Sequence, residues 1–323
     1  MSNNSLLYHA LIADALQQLE ALLLETPSGT PEAAAMAVRA LVGSGGKRLR
    51  PALLILVAHL CNAPLAQAHL LGAAIEMLHT ATLIHDDLID GARIRRGLET
   101  LNAAWSPAAT VLAGDLAFAR AALLVAQVED ARIMRRFAET LEAICSGELR
   151  QMFVGRGSLP TIAEYYERIF AKTASLFMFA TESGACLGGC SEEMLGALAR
   201  FGELLGLAFQ IADDVLDFMG TEAQLGKPVG GDLRQGLVTL PVLRYLELHP
   251  DDDRVLRLLA EKDVALIPGL VADLRSSSAA EQAMGEAQGL VDEALALLAA
   301  RFPVSPYREA LEEIAHFAVQ RRY

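Results

Sequence analysis

Aromatic residues make up only 6% of this 323-residue chain, and lysine is rarer still. The apolar content is nevertheless 53%, led by alanine and leucine, which are strong helix formers and poor strand formers. Positive charge is scarce: 27 Lys and Arg face 40 Asp and Glu, for a net charge of −13. Without a basic field to displace counterions, nonspecific nucleic-acid binding is excluded. Cysteine is limited to Cys61, Cys145, Cys186 and Cys190. Cys186 and Cys190 share helical spacing but no His partners, so they read as small buried thiols rather than metal ligands. No N-terminal signal pattern is present, and a reducing, cytoplasmic setting is expected. The longest apolar stretch, 107–128, contains Asp115 and Arg120, which predicts a core helix and no membrane span. Alternating strand patterns, solenoid repeats and long linkers are missing as well. One all-α domain over residues 1–323 is the expectation.

Against this background the few cations stand out. Lysine occurs at Lys47, Lys172, Lys227 and Lys262, in a chain that otherwise uses arginine. Lys47 lies in the glycine-rich turn GSGGKRLRP with Arg48 and Arg50, where glycine allows close backbone approach and the cations suit phosphate. The acids are just as unevenly placed. EMLHTATLIHDDLID, read as a helix, sets Asp86 and Asp90 on one face with Asp87 about 100° around the axis. His79 sits on nearly the same stripe, two turns before Asp86. A second apolar helix, FQIADDVLD, carries Gln210, Asp213, Asp214 and Asp217 as its polar stripe. Clustered carboxylates on apolar helices are costly unless a cation binds them. Two such clusters suit a hard divalent ion such as Mg²⁺, held through carboxylates and phosphate oxygens. With the basic residues they point to a diphosphate substrate, and the apolar surroundings point to a lipid-like chain.

These motifs, in this order, resemble the all-trans polyprenyl diphosphate synthase family, and bacterial octaprenyl diphosphate synthases in particular. The match runs through GGKRLRP, EMLHTATLIHDDLID, RRG at 95–97, AGD at 113–115, KT at 172–173, FQIADDVLD, GKPVGGDL and TLP at 239–241. The resemblance implies the isoprenoid synthase fold, a single large helical bundle around a central apolar cavity, and a homodimer. It implies that Asp86, Asp87, Asp90, Asp213, Asp214 and Asp217 hold Mg²⁺ on an allylic diphosphate contacted by Arg95, Lys172 and Lys227. Lys47, Arg50, His79 and Arg96 would hold isopentenyl diphosphate, while Thr173 and Gln210 would stabilise the allylic cation beside Lys172. Arg48 and Arg93 are expected to be structural or surface residues.

One departure matters. The family pattern has lysine two residues before TLP, whereas this chain has Leu237, which removes one expected diphosphate contact. Lys227 and Arg234 are candidates to compensate. Ala81 and Thr82, one turn before Asp86, are small, as is Ala122 on the following helix, where Phe118 could narrow the pocket. A chain-length pocket with so small a floor predicts a product longer than farnesyl, with octaprenyl the best estimate and quinone side chains its use. A shorter-chain synthase or the noncatalytic subunit of a heteromeric synthase are the alternatives, although such a subunit should lack one acidic cluster. A class I terpene cyclase would not need GGKRLRP. The His85-Asp86 dipeptide alone does not make an HD phosphohydrolase.

Overall fold

The computed structural model describes residues 7–25, 29–43, 46–95, 98–153, 159–221 and 229–320. They are almost entirely helical, in the order α1 Leu7–Leu11, α2 Ala13–Leu24, α3 Glu32–Gly43, α4 Leu49–Leu60 and α5 Leu65–Ile89. Then follow α6 Leu101–Ala104, α7 Pro107–Ala126, α8 Ala131–Phe153, α9 Ile162–Ile169, α10 Ser175–Leu187 and α11 Glu192–Met219. The chain ends with α12 Gly231–Arg234, α13 Leu240–Leu248, α14 Arg254–Glu261, α15 Ile267–Ser276, α16 Ala279–Arg301 and α17 Pro306–Gln320. Local chemistry sets several starts. Ser106 caps α7 ahead of Pro107, and Thr161 and Glu164 form a reciprocal capping box on α9.

Two features depart from the sequence expectation. Ile94–Arg95 and Leu98–Glu99 pair as a short antiparallel hairpin, β1 and β2, too brief to leave an alternating pattern. Helical periodicity in the sequence runs through 161–184, yet the helix there is interrupted by a π turn at Phe170–Ala174, which contains Lys172 and Thr173. Single π turns in otherwise α-helical segments often mark functional sites.

The residues group into two compact units. Met1–Glu139, Phe179–Ala199 and Arg301–Glu313 form the first. Its centre is α5, against which α2, α4 and α7 pack. The α5–α7 contact is close because Gly114 has no side chain: a Cβ there would lie 2.1 Å from the His85 ring. His85 uses that space to reach Val111 O at 3.2 Å. It is thus an interhelical contact residue. Likewise, Gly184 and Gly188 let the end of α10 pack on α4, where Cβ atoms would strike Leu54 O and the Cys61 side chain. Cys186 is a buried thiol as expected, whereas Cys190 lies beyond the end of α10, is half-buried and hydrogen-bonds Cys61.

Thr140–Met178, Arg200–Ala300 and Ile314–Tyr323 form the second unit. Its packing is built around the π turn. Gly147 of α8 and Gly206 of α11 bring their helices against Ala171 and Ala174, where a Cβ would come within 2.5 Å. Helices α7 and α11 are long and apolar enough to cross a membrane by length and composition, and 39% and 61% of their apolar windows are buried. For α7 the core-helix expectation therefore holds on one face only.

Two histidines of the first unit give the fold a pH dependence. His69 is buried and its Nε2 has no hydrogen-bond partner, while the His59 ring stacks on Tyr307 at 4.2 Å. Burial lowers the pKa of both, and for His59 proximity to His69 lowers it further. The unfolded chain therefore takes up protons at a higher pH than the native one, and stability present above about pH 6.5 is lost as pH falls below it. Over about pH 7.5 to about pH 5.5 these histidines lower Tm, while the buried Asp214 carboxyl, whose pKa is raised, acts in the opposite sense. His69→Leu should therefore make Tm fall less, or rise more, than in the parent over that window. Identical pH profiles for the variant and the parent would assign the dependence elsewhere.

Candidate active site

The first acidic motif ends α5. Asp87 is buried and accepts from Arg95 Nε at 2.7 Å, Asp86 is half-buried, and Asp90 is exposed at the C-cap. The hairpin thus returns Arg95 directly onto the motif, an ion pair across the β1 turn that spacing alone does not reveal. His79 and Thr82 lie half-buried on the Asp86 stripe, and Thr82 Oγ1 donates to His79 O at 2.7 Å. Ala81 faces away from that stripe and is completely buried. Phe118 packs its ring on His85 with centroids 5.3 Å apart, and Ala122 is half-buried on the same helix. In the basic turn, Lys47 is exposed and Arg50 half-buried, and Tyr8 donates its hydroxyl to Lys47 O.

In the second unit the π turn and α11 bring Thr173, Gln210 and Asp214 into one hydrogen-bond chain. Thr173 Oγ1 donates to Gln210 Oε1 at 2.6 Å, and Gln210 Nε2 donates to Asp214 Oδ1 at 2.8 Å. Tyr165, also buried, donates to the other Asp214 oxygen at 2.8 Å. The amide is therefore held by both ends, with its oxygen turned to Thr173. Burial, reinforced by the neighbouring Asp232, pushes the Asp214 carboxyl well above the usual carboxylate range, while Gln210 and Tyr165 oppose that shift. Asp217 is buried and accepts the Asp232 backbone N–H at 3.1 Å, and Asp213 is half-buried. Lys172 is exposed, with Nζ 2.7 Å from Glu148. Leu237 is half-buried, its N–H bonded to Asp232 O at 2.8 Å.

Arg96, Lys227 and the C-terminal Arg321 and Arg322 lie outside the described residues. Among the described residues, no three His, Cys, Asp or Glu side chains gather closely enough to hold a metal as they stand. The donor chemistry nevertheless fits one. The acids are hard oxygen ligands, and the buried, charge-deficient Asp214 is a carboxylate that a nearby cation would keep ionised. Sequence reasoning passed over Tyr165, Glu148 and Asp232. Asp232 lies inside the GKPVGGDL stretch, which was the one signal available for it.

Comparison with known proteins agrees with this geometry. The polyprenyl synthetase family model matches residues 31–270. Heptaprenyl diphosphate synthase component 2 of Geobacillus stearothermophilus is 37% identical over 88% of this chain and 88% of its own length. Octaprenyl diphosphate synthase of Escherichia coli is 36% identical over 87% and 88%, respectively. A polyprenyl synthase from Caulobacter crescentus, solved with calcium and isoprenyl diphosphate, superposes with a TM-score of 0.91 at 36% identity, covering 98% of each chain. The fold is the all-α isoprenoid synthase fold, as the motifs imply. With the match running through both acidic motifs and the lysine-threonine π turn, the chain belongs to the polyprenyl synthetase family.

Proposed function

We propose that this prenyltransferase extends an allylic diphosphate such as farnesyl diphosphate with isopentenyl diphosphate, stopping near octaprenyl length to supply quinone side chains. Its 36% identity to an octaprenyl diphosphate synthase supports the length, as do the small residues Ala81, Thr82 and Ala122. The observation that carries the reaction is the Thr173–Gln210–Asp214 chain. Thr173 spends its proton on Gln210, so its remaining lone pairs can face an electron-poor carbon. Gln210, fixed by Asp214, supplies a second oriented dipole without reorganising during the reaction.

Lys47, Arg50, His79 and Arg96 hold the diphosphate of isopentenyl diphosphate in this reading. Arg95, Lys172 and Lys227 hold that of the allylic substrate. Arg95 and Lys172 are paired with Asp87 and Glu148 in the structure, so substrate binding exchanges those carboxylates for phosphate oxygens. Asp86, Asp87, Asp90, Asp213, Asp214 and Asp217 would hold Mg²⁺, which when bound neutralises the charge developing on the leaving diphosphate. The apolar helix faces exclude water, which would otherwise trap the cation.

The chain works here as one polyprenyl synthase domain, supported by a family match that includes segments of both compact units. It acts in the cytoplasm as a homodimer. The outward stripe of α7, with Val111 41%, Leu112 66% and Leu123 55% exposed, supports a second copy as its cover. The deciding experiment is incubation with isopentenyl diphosphate, farnesyl diphosphate and Mg²⁺, with prenyl products sized by chromatography and the enzyme by light scattering. Products longer than farnesyl, ending near octaprenyl, are expected. Absence of elongation with every allylic primer would overturn the reading.

A further inference from the structure

Four described residues other than glycine adopt the left-handed conformation: Arg48, Asn62, Glu129 and Lys262. Asn62, Glu129 and Lys262 follow the C-terminal ends of α4, α7 and α14, where that conformation routinely terminates a helix. Arg48 is different. It precedes α4, with φ 46° and ψ 37°, at a helix start that normally takes extended backbone. A long side chain in this region is strained and persists only where its surroundings over-determine it.

The surroundings are a buried ion cluster. Arg48 Nε donates to Glu20 at 2.7 Å, Nη1 to Glu76 at 2.6 Å and Nη2 to Val42 O at 2.6 Å. The Arg48 and Glu76 side chains are only 10% and 9% exposed. Buried ion pairs contribute little net stability compared with apolar residues of the same size, so stability alone does not account for this one. Its placement does. Arg48 lies between Lys47 and Leu49-Arg50, and Glu76 lies one turn before His79 on α5. Tyr8 pins the carbonyl of the preceding Lys47 as well.

We propose that Arg48 is a positioning residue: its bonds to Glu76, Glu20 and Val42 O hold the basic turn in a strained left-handed conformation that sets Lys47 and Arg50 against His79 for isopentenyl diphosphate. This rests on the isopentenyl diphosphate site proposed above. Arg48 is thus the structural residue the sequence led us to expect, and its structural role is to fix the turn that carries Lys47 and Arg50. Arginine suits the position because its rigid planar fork spans Glu20, Glu76 and Val42 O from three separate nitrogens, whereas an ammonium offers its three donors from one compact point.

The test compares steady-state constants for both substrates, with Tm, in four variants. Arg48→Met/Glu76→Met replaces the pair by apolar side chains and should keep Tm close to the parent. Its KM for isopentenyl diphosphate should rise about tenfold or more, since displacements of about 1 Å can cost about 10²-fold. The KM for farnesyl diphosphate should change less than about twofold. Arg48→Lys should fall between parent and double variant. Glu20→Gln alters the most exposed partner, so it remains informative if the double variant does not fold, and should raise the same KM about threefold. Lys47→Ala calibrates the site. If Lys47→Ala raises the isopentenyl KM but Glu20→Gln and Arg48→Lys do not, the positioning role is wrong. If Lys47→Ala also leaves it unchanged, the site assignment fails and the inference falls with it. Equal rises in both KM values would likewise overturn the proposal, since that is what general loosening of the fold produces.

Discussion

Asp86→Ala and Asp213→Ala are each expected to lower kcat by about 10³-fold, the scale of removing one preorganised stabiliser of transition-state charge. Both carboxylates are half-buried, one near the end of α5 and the other in the last turns of α11. The comparison that makes the result specific is Asp214→Ala. That residue accepts from both Tyr165 and Gln210, so its loss leaves a buried hydroxyl and a half-buried amide without their acceptor. An orphaned buried donor costs about 1–3 kcal/mol. Asp214→Ala should therefore reduce Tm as well as kcat, while Asp86→Ala should reduce kcat with a much smaller change in melting. Turnover assays with saturating Mg²⁺, set beside thermal unfolding, separate the two effects. An Asp86→Ala enzyme retaining more than about a tenth of parental kcat would remove the first motif from the metal assignment.

Thr82→Phe is expected to shorten the product by several isoprene units, the second-largest change foreseen. Thr82 lies on the half-buried stripe of His79 and Asp86, so a ring there extends along the face that carries the reacting groups. Ala81→Phe should shorten the product too, but at a structural cost. Ala81 is fully buried in the first unit, and inserting a ring into a packed position costs about 1–3 kcal/mol. The two substitutions thus distinguish blockage from loosening, since only Ala81→Phe should depress Tm strongly. Product sizing after exhaustive incubation is the readout. Unchanged product lengths in both variants would remove Ala81 and Thr82 from length control.

Much of this protein was readable from short-range pattern. The apolar period around 201–216 places Asp213, Asp214 and Asp217 on one helix, and α11 is where that helix lies. Helix α5 follows for the same reason, because repeating apolar positions and side-chain spacing are local properties of the chain. The two aspartate motifs, the lysine-threonine pair and GGKRLRP together sufficed to name the family.

Tertiary structure alone decided how those residues are held. Lys172 and Thr173 sit on a π turn against which Gly147 and Gly206 admit two helices at Ala171 and Ala174, and no pattern near residue 172 encodes that approach. Tyr165 reaches Asp214 across 49 positions of sequence, and Arg48 reaches Glu76 across 28. Such bonds depend on backbone paths brought together by packing, whereas sequence spacing reports only neighbours within a few turns. The sequence by itself therefore determined the family and the all-α class, with the candidate diphosphate and metal residues in a recognisable order. Which carboxylate is buried and which arginine is lashed into a strained turn were settled by long-range packing, because burial is a property of the assembled core.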